Sequence, residues 1–363
     1  MNHPILESRT ARTVAIEGEE LVAFAGCDYL GLSVDSRVLD AAASCSRSTG
    51  LSSTASRETS GSFATHERLE AGLAEFLGTE SALLAVDGYT ADLALLQGLS
   101  DRLEIAIIDA DAHASLFDAT KISSLDSMDY GAGDLNRAHA MIDRNRERGM
   151  VVLTDGVFPM QGRLAASNML LRVLPDTDAW LVIDDSHALG VLGNSGRGSL
   201  EIYGLEDPRV VITGSLGKAL GTPAGFIAGS HEVLSRIRRR SDVHVGSSAP
   251  SPAIAAAGLT ALDLLQAEPD RVQRLHVNTR RLHQIGRRLG RTLRGSYLPV
   301  LPLAIEDDDA GRRAHAGLRV RGIFAPFVRY PGDASSGVLR LAVTSEHTEE
   351  DLSLLESALL EVL

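Results

Sequence analysis

Three observations predict an α/β protein with a mostly parallel central sheet, helices on both faces, and a smaller α+β domain at the C-terminus. Short apolar runs recur: "SALLAV", "IAIID", "MVVLTD", "WLVIDD", "VVITG" and "FIAG". Helix-length segments separate most of them, and continuous apolar strands alternating with helices imply a sheet buried on both faces. After about residue 250 the alternation gives way to two long helical patterns, several strands and a closing helix. Composition therefore divides the chain into a short N-terminal segment (1–45), a large domain (46–250) and a small domain (251–363).

Each element has a local reason. "TVAIEGEELVAFAG" predicts two short strands around a Glu-Gly-Glu turn. "HERLEAGLAEFLG" places Leu69, Leu73, Phe76 and Leu77 on one helical face, and Gly78 ends it. "TADLALLQGL" predicts a helix with Thr90 as N-cap. The strands at 210–213 and 226–229 are too close for a helical crossover, which predicts an antiparallel pair. "SPAIAAAGLTALDLLQ" and "RLHVNTRRLHQIGRRLGRTLRG" predict helices, the second with a stripe of Leu275, Leu282, Ile285, Leu289 and Leu293. Its arginines predict a solvated face. "YLPVLPLAI", "GIFAPFV" and "GVLRLAVT" predict strands, and "TEEDLSLLESALLEVL" an amphipathic helix.

Composition narrows the function. The 363 residues carry a net charge of −13, which argues against general affinity for nucleic acid or anionic membrane. Two cysteines, Cys27 and Cys45, make no disulfide framework, and no zinc spacing occurs. The N-terminus lacks the apolar region of a secretory signal, and the longest apolar stretch is interrupted by Asp263. A soluble cytoplasmic protein is the expectation.

Chemistry concentrates around "VITGSLGKALGTPAG", where Lys218 sits among glycines after an apolar strand. A P-loop needs Gly at 212 and Ser or Thr at 219, but Ile and Ala stand there. No GxGxxG follows the early strands, and "GNSGRG" at 193–198 has the wrong spacing. An amine in a glycine-rich loop can instead form a Schiff base with an aldehyde cofactor such as pyridoxal phosphate. That cofactor needs a carboxylate at its ring nitrogen, and "WLVIDDSHALG" supplies Asp184 and Asp185 at a strand end, then His187. Gly88 and Tyr89 bridge a strand and a helix, where backbone N–H groups can hold phosphate. His113 follows the next strand and could stack on a ring. Singly, each residue has a plainer reading: a surface lysine, a helix-start histidine, a loop-capping aspartate, a turn glycine. The order of all of them along the chain favours the cofactor site.

The segments "CDYLGLS", "SRETSGSFATHERLEAGLAEFLG", "DGYTADLALL", "DAHASLFDA", "TDGVFPMQG", "VIDDSHALGVLGNSGRGSLE", "TGSLGKALGTPAG" and "LRLAVT" together resemble the α-oxoamine synthases, a branch of the fold-type I pyridoxal phosphate enzymes with the aspartate aminotransferase-like fold. The resemblance spans nearly the whole chain from about residue 20. It implies pyridoxal 5′-phosphate bound covalently to Lys218, which later moves the substrate α-proton. It implies Asp184 at the pyridine nitrogen, His187 at the phenolic oxygen, and His113 stacked on the ring and assisting acyl transfer. Gly88, Tyr89 and Ser215 would hold the phosphate, joined by Ser247 and Ser248 from a second subunit, so a homodimer with shared sites is implied. Arg340 would clamp the amino-acid carboxylate, with Thr344 four residues on along the strand facing the same side. The plain reading of Arg340 is a half-exposed strand residue or a partner of a structural carboxylate.

Three departures bear on the substrate. Cys27 stands where the family usually has an Asn that helps hold the amino acid. "GLSSTASR" replaces a glycine-rich loop, keeping Gly50 and the Ser56–Arg57 pair. Pro159 replaces a Ser that touches the cofactor. The implied reaction is decarboxylative condensation of an amino acid with an acyl thioester, giving an α-amino ketone. Another pyridoxal phosphate reaction (aminotransferase, decarboxylase or aldolase-type lyase) and a non-catalytic partner subunit stay open on sequence alone.

Overall fold

The computed structural model describes residues 4–175, 178–290, 298–305, 307–329 and 337–363. These form two units, one of Ser36–Phe158 with Leu164–Ala267, the other of residues 1–35, 159–163 and 268–363. The cuts differ from those that composition suggests. The helix Pro252–Ala267 packs on helices of the larger unit, and the N-terminal strands pair with Ile323–Phe324 of the smaller one. Both are long-range pairings that local composition does not encode.

In the larger unit, helices α1 (Ser36–Thr49), α2 (Ala64–Leu77), α3 (Gly88–Leu99), α4 (Ala114–Ile122) and α5 (Pro252–Ala267) surround a seven-stranded sheet. Its strands are β1 (Ser81–Ala85), β2 (Ile105–Ile108), β3 (Asp126–Asp129), β4 (Met150–Asp155), β5 (Ala179–Asp184), β6 (Val210–Ser215) and β7 (Gly225–Gly229). They lie in the order β1-β7-β6-β5-β4-β2-β3. Pairing is parallel from β6 to β3, while β7 runs antiparallel to both β6 and β1. The predicted antiparallel neighbours are thus found, with Ile212 opposite Ala228. β4 and β5 are buried along their whole length, which explains why their sequences show no polar alternation. One face of the sheet, through Val151, Val182 and Val211, shares a core with Leu95, Leu99 and Leu116 from α3 and α4.

Strand β3, "DSMD", is an exposed edge with no apolar pattern, so sequence periodicity passes over it. Backbone pairing with β2 creates it. The capping expectation also needs correction. Helix α3 begins at Gly88, and its N-cap is Asp87 rather than Thr90. Asp87 Oδ1 accepts the Thr90 N–H at 2.7 Å, and the Thr90 hydroxyl oxygen accepts the Asp87 N–H at 3.1 Å in return. A carboxylate with a full negative charge makes the stronger cap at a helix start.

The smaller unit holds the predicted N-terminal hairpin, Thr13–Ile16 and Glu19–Ala23, turned through Glu17 (φ 55°) and Gly18 (φ 78°). A three-stranded sheet joins Val300–Ala304, Val338–Ala342 and Phe327–Val328. "GIFAPFV" is two short strands in two different sheets, because Pro326 lies at their junction and cannot donate to a ladder. Leu282 and Ile285 of the helix Asp270–Arg288 enter the core with Leu301, Leu303, Leu339 and Leu355. Leu293 lies outside the described residues. On the polar side, Arg271, Arg274, Arg281 and Arg288 pair with Asp35, Asp270, Glu349 and Glu356. Among the described residues, no helix is long and apolar enough to cross a membrane.

One glycine fixes how closely β7 approaches the β1–α3 turn. A Cβ on Gly225 would lie 2.0 Å from the Asp87 carbonyl oxygen and 2.7 Å from the Gly88 nitrogen. Both obstacles are backbone and cannot rotate away. Gly225→Ala is expected to cost about 2–3 kcal/mol, at the upper end of overpacking, because a backbone shift must accommodate the methyl. Urea unfolding of the cofactor-free protein measures this; a midpoint unchanged from wild type contradicts the close approach.

Candidate active site

Ligand sites in open α/β sheets lie beyond the carboxyl ends of the strands. Here four strands end in polar residues at that edge: Asp129, Asp155, Asp184 and Ser215. Asp184 on β5 is in register with Asp155 on β4 and Thr213 on β6. The Asp184 carboxylate accepts the Ser186 N–H at 2.8 Å. Asp185, the first residue beyond the strand, turns elsewhere. Its two oxygens accept the Ser199 N–H at 2.8 Å and the Ser199 hydroxyl at 2.6 Å. Burial pushes the Asp185 carboxyl up to about 7, with Asp184 repulsion adding to it and the Ser199 bonds opposing. Asp185 therefore anchors a loop, and Asp184 serves the site.

His113 caps α4 just beyond β2. Its backbone N–H donates to Asp155 Oδ1 at 3.0 Å, and its Nδ1 lies 2.7 Å from the Ser115 hydroxyl. That hydroxyl donates to Asp92 Oδ2 at 2.6 Å, while the Thr213 hydroxyl donates to Asp92 Oδ1 at 2.6 Å. Burial holds the Asp92 and Asp155 carboxyls well above the usual range, and repulsion from Asp184 raises both further. The Lys218 charge acts on both in the opposite sense. Lys218 and Asp184 thus bear on the same two buried groups, from the same edge of the sheet. His187 is partly buried three residues beyond Asp184, on the chain leaving β5.

Across the edge, α3 opens at Gly88. A Cβ there would lie 3.0 Å from the Ser215 Cβ and 3.2 Å from the Ser215 nitrogen, so the two turns are in contact. Ser215 Oγ accepts the Gly217 N–H at 3.1 Å. Tyr89 presents its ring edge-on to His113, centroids 6.1 Å apart at 81°, and its hydroxyl donates to Asp118. The structure therefore brings Gly88, Tyr89, His113, Asp184, Ser215 and Lys218 to one edge.

The model of the aminotransferase class I and II family matches residues 19–359. An 8-amino-7-oxononanoate synthase of Methylococcus capsulatus is 38% identical, over 98% of this chain and 92% of that protein. Another, of Herminiimonas arsenicoxydans, is 36% identical, over 95% of this chain and 91% of that protein. The chain belongs to the α-oxoamine synthase branch of the aminotransferase class I and II family. Its fold matches a serine palmitoyltransferase of S. paucimobilis at TM-score 0.93 and 23% identity, over 99% of this chain and 92% of that one. It also matches an 8-amino-7-oxononanoate synthase of Francisella tularensis at TM-score 0.80 and 22% identity, over 94% and 98%. The expected fold-type I architecture is found.

Several residues at this strand-end edge carry no mark in the sequence pattern. Asp155, by contrast, ends an apolar strand just as Asp184 does, and that position was signal enough. Asp92 and Ser115 lie inside helices and Thr213 within a strand, where local pattern marks nothing. Ser247 donates to the Val243 carbonyl, and neighbouring Ala249 exchanges bonds with the altered "GLSSTASR" loop. There the Ser53 hydroxyl donates to the Ala249 carbonyl at 3.0 Å, and the Ala249 N–H to Ala55 at 3.0 Å. Arg57 is bidentate to Glu70, at 2.6 and 3.1 Å. Ser248 is exposed.

In the smaller unit, buried Arg340 donates to the Gly26 carbonyl at 3.1 Å and to Cys27 Sγ at 3.4 Å. Tyr29 lies beside both, its hydroxyl pushed well up by burial. Thr344 falls beyond the strand, which ends at Ala342, so strand alternation does not set its direction. Its N–H donates to His347 Nδ1 at 2.9 Å and its hydroxyl to the Ala11 carbonyl at 3.2 Å.

The Asp185 shift makes a signed prediction. Its folded pKa, about 7, exceeds the unfolded value of 3.8, so the folded state keeps a proton that the unfolded chain releases. Its contribution is most favourable below pH ~4 and is lost as pH rises to about 7. From pH 5 to 8 the cofactor-free protein should lose roughly 2–3 kcal/mol through this group, and Asp185→Asn should remove that part of the slope. Urea unfolding at the two pH values checks it; equal slopes in both proteins contradict it.

Proposed function

We propose that this chain condenses an amino acid with an acyl thioester, joining the α-carbon to the acyl carbon. Carbon dioxide and a free thiol leave, and an α-amino ketone is formed. The observation that carries this reading is one lysine, Lys218, set against buried carboxyls at the strand ends. Pyridoxal 5′-phosphate fits that donor set. Asp92, Asp155 and Asp184 repel one another, and a protonated ring nitrogen would relieve the repulsion. The Gly88–Ser215 contact forms a cradle that any side chain at 88 would fill. When bound, pyridoxal phosphate supplies an electron sink for the α-carbon.

The residues divide the work. Lys218 holds the cofactor through its amine and then carries the α-proton at Nζ. Asp184 keeps the ring nitrogen protonated, and His187 donates to the phenolic oxygen. His113 would stack on the ring and assist acyl transfer. The N–H groups of Gly88 and Tyr89, at the start of a 12-residue helix, and Ser215 take the phosphate. Ser247 and Ser248 reach the phosphate of a second copy, which makes a homodimer the working unit. Arg340 takes the amino-acid carboxylate, since a buried guanidinium favours a bidentate anion. Cys27, which already accepts from Arg340, narrows the choice of amino acid.

Purified protein should take up pyridoxal phosphate with an absorbance band that Lys218→Ala abolishes. Amino acid plus acyl-CoA should then release free thiol, and neither substrate alone should. Uptake without thiol release for any amino acid tested rejects the condensation in favour of another reaction of the same cofactor. No uptake rejects the site. Arg340→Lys should raise KM for the amino acid by about tenfold while kcat changes much less, since a bidentate clamp becomes a point charge. Steady-state kinetics decide it; an unchanged KM removes Arg340 from the substrate.

A further inference from the structure

We propose that Asp92, acting through Ser115, sets the tautomer of His113, so that His113 carries its proton on Nδ1 and presents a bare Nε2. Asp92 lies in the second turn of α3, 1% exposed, and Ser115 is equally buried. Each carries hydrogen bonds whose direction can be followed atom by atom. Asp92 Oδ1 takes the Thr213 hydroxyl proton, and Asp92 Oδ2 takes the Ser115 hydroxyl proton, both at 2.6 Å. Ser115 has one hydroxyl proton. Once it points at Asp92, the Ser115 oxygen can only accept from His113 Nδ1, 2.7 Å away.

A competing contact exists at the same nitrogen. The Ser115 backbone N–H approaches His113 Nδ1 at 3.3 Å, which favours a bare Nδ1 and a proton on Nε2. The hydroxyl contact is shorter by 0.6 Å and ends on a carboxyl group, so it prevails. A neutral Asp92 with its proton on Oδ1 leaves the relay intact, because Oδ2 still accepts. Only a proton on Oδ2 reverses it. Asp92 and Ser115 are positioning residues. Their effect is to make His113 Nε2 an acceptor, so that it takes a hydrogen bond or a proton from the substrate side rather than giving one. That last step rests on the proposed function; the tautomer does not.

The test uses cofactor-free full-length protein labelled with 15N-histidine, at about pH 8.5, two units above the ordinary imidazole value. The His113 signal is the one lost in His113→Gln. Long-range 15N–1H correlation should show Nδ1 protonated and Nε2 bare in wild type. Ser115→Ala should move His113 toward Nε2–H, and Ser115→Thr, which keeps the hydroxyl, should restore the wild-type pattern. A merely structural Ser115 would leave the tautomer unmoved. Nε2–H in wild type overturns the proposal even if no variant folds, as does an unchanged pattern in Ser115→Ala. In the loaded enzyme Ser115→Ala should lower kcat for thiol release at least about tenfold, with KM for the amino acid within threefold. Tautomer control without any thiol release in wild type would uphold this inference and reject the functional reading.

Discussion

Burying several carboxyl groups at one end of a parallel sheet is the constraint on which the rest of the site depends. The register of β4, β5 and β6 sets Asp155, Asp184 and Thr213 side by side. Asp92 then joins them from α3 through its bond to Thr213. In a region shielded from water, such groups raise one another's pKa and strain the fold unless donors or cations offset them. The offset is spread over separate elements: the Ser186 and His113 backbone N–H groups, the Thr213 and Ser115 hydroxyls, and the Lys218 charge. A site of this kind is under-neutralised by design of its donors, and it favours a ligand that brings a positive ring nitrogen.

That electrostatic logic also separates two adjacent aspartates of the same strand end. Asp184 is the last residue of the strand and Asp185 the first of the loop, where Ser199 holds it. Asp185 spends its oxygens on Ser199 and is so tightly enclosed that Cβ atoms on Gly156 or Gly198 would collide with it. Anchoring and chemistry are thus carried by neighbours, and a substitution at either has a different consequence.

How much could be read in advance follows the same division. Strand β5 with its terminal Asp184, the lysine loop after β6 and the turn at Gly88 were legible because each is local: an apolar run, then a polar residue where the run stops. The edge strand β3 was not, since "DSMD" is defined only by its partner β2. Asp87 took the cap expected of Thr90 because both residues can cap, and only the folded geometry chooses between them. The apolar run carries the strand pattern on to Thr344, but the strand ends two residues earlier and the Thr344 N–H goes to His347 Nδ1 instead of a ladder. Asp92 left no trace in the pattern, because its partners Ser115 and Thr213 are 23 and 121 residues away.

The residues hidden from sequence reading are therefore those whose role is to hold other residues. Lys218, Asp184 and His113 carry chemistry that residue type alone suggests. What makes that chemistry directional is less conspicuous. A histidine can act as acid or base, and the choice lies in which nitrogen keeps the proton. Here that choice is made two residues away by a serine hydroxyl, and behind it by a carboxyl on another helix whose second oxygen is tied to the strand leading to Lys218. The same carboxyl feels the charges of Asp184 and Lys218. Asp92 is thus the point where the lysine strand, Asp184 and the histidine are coupled. Sheet register and proton placement become one problem there rather than two.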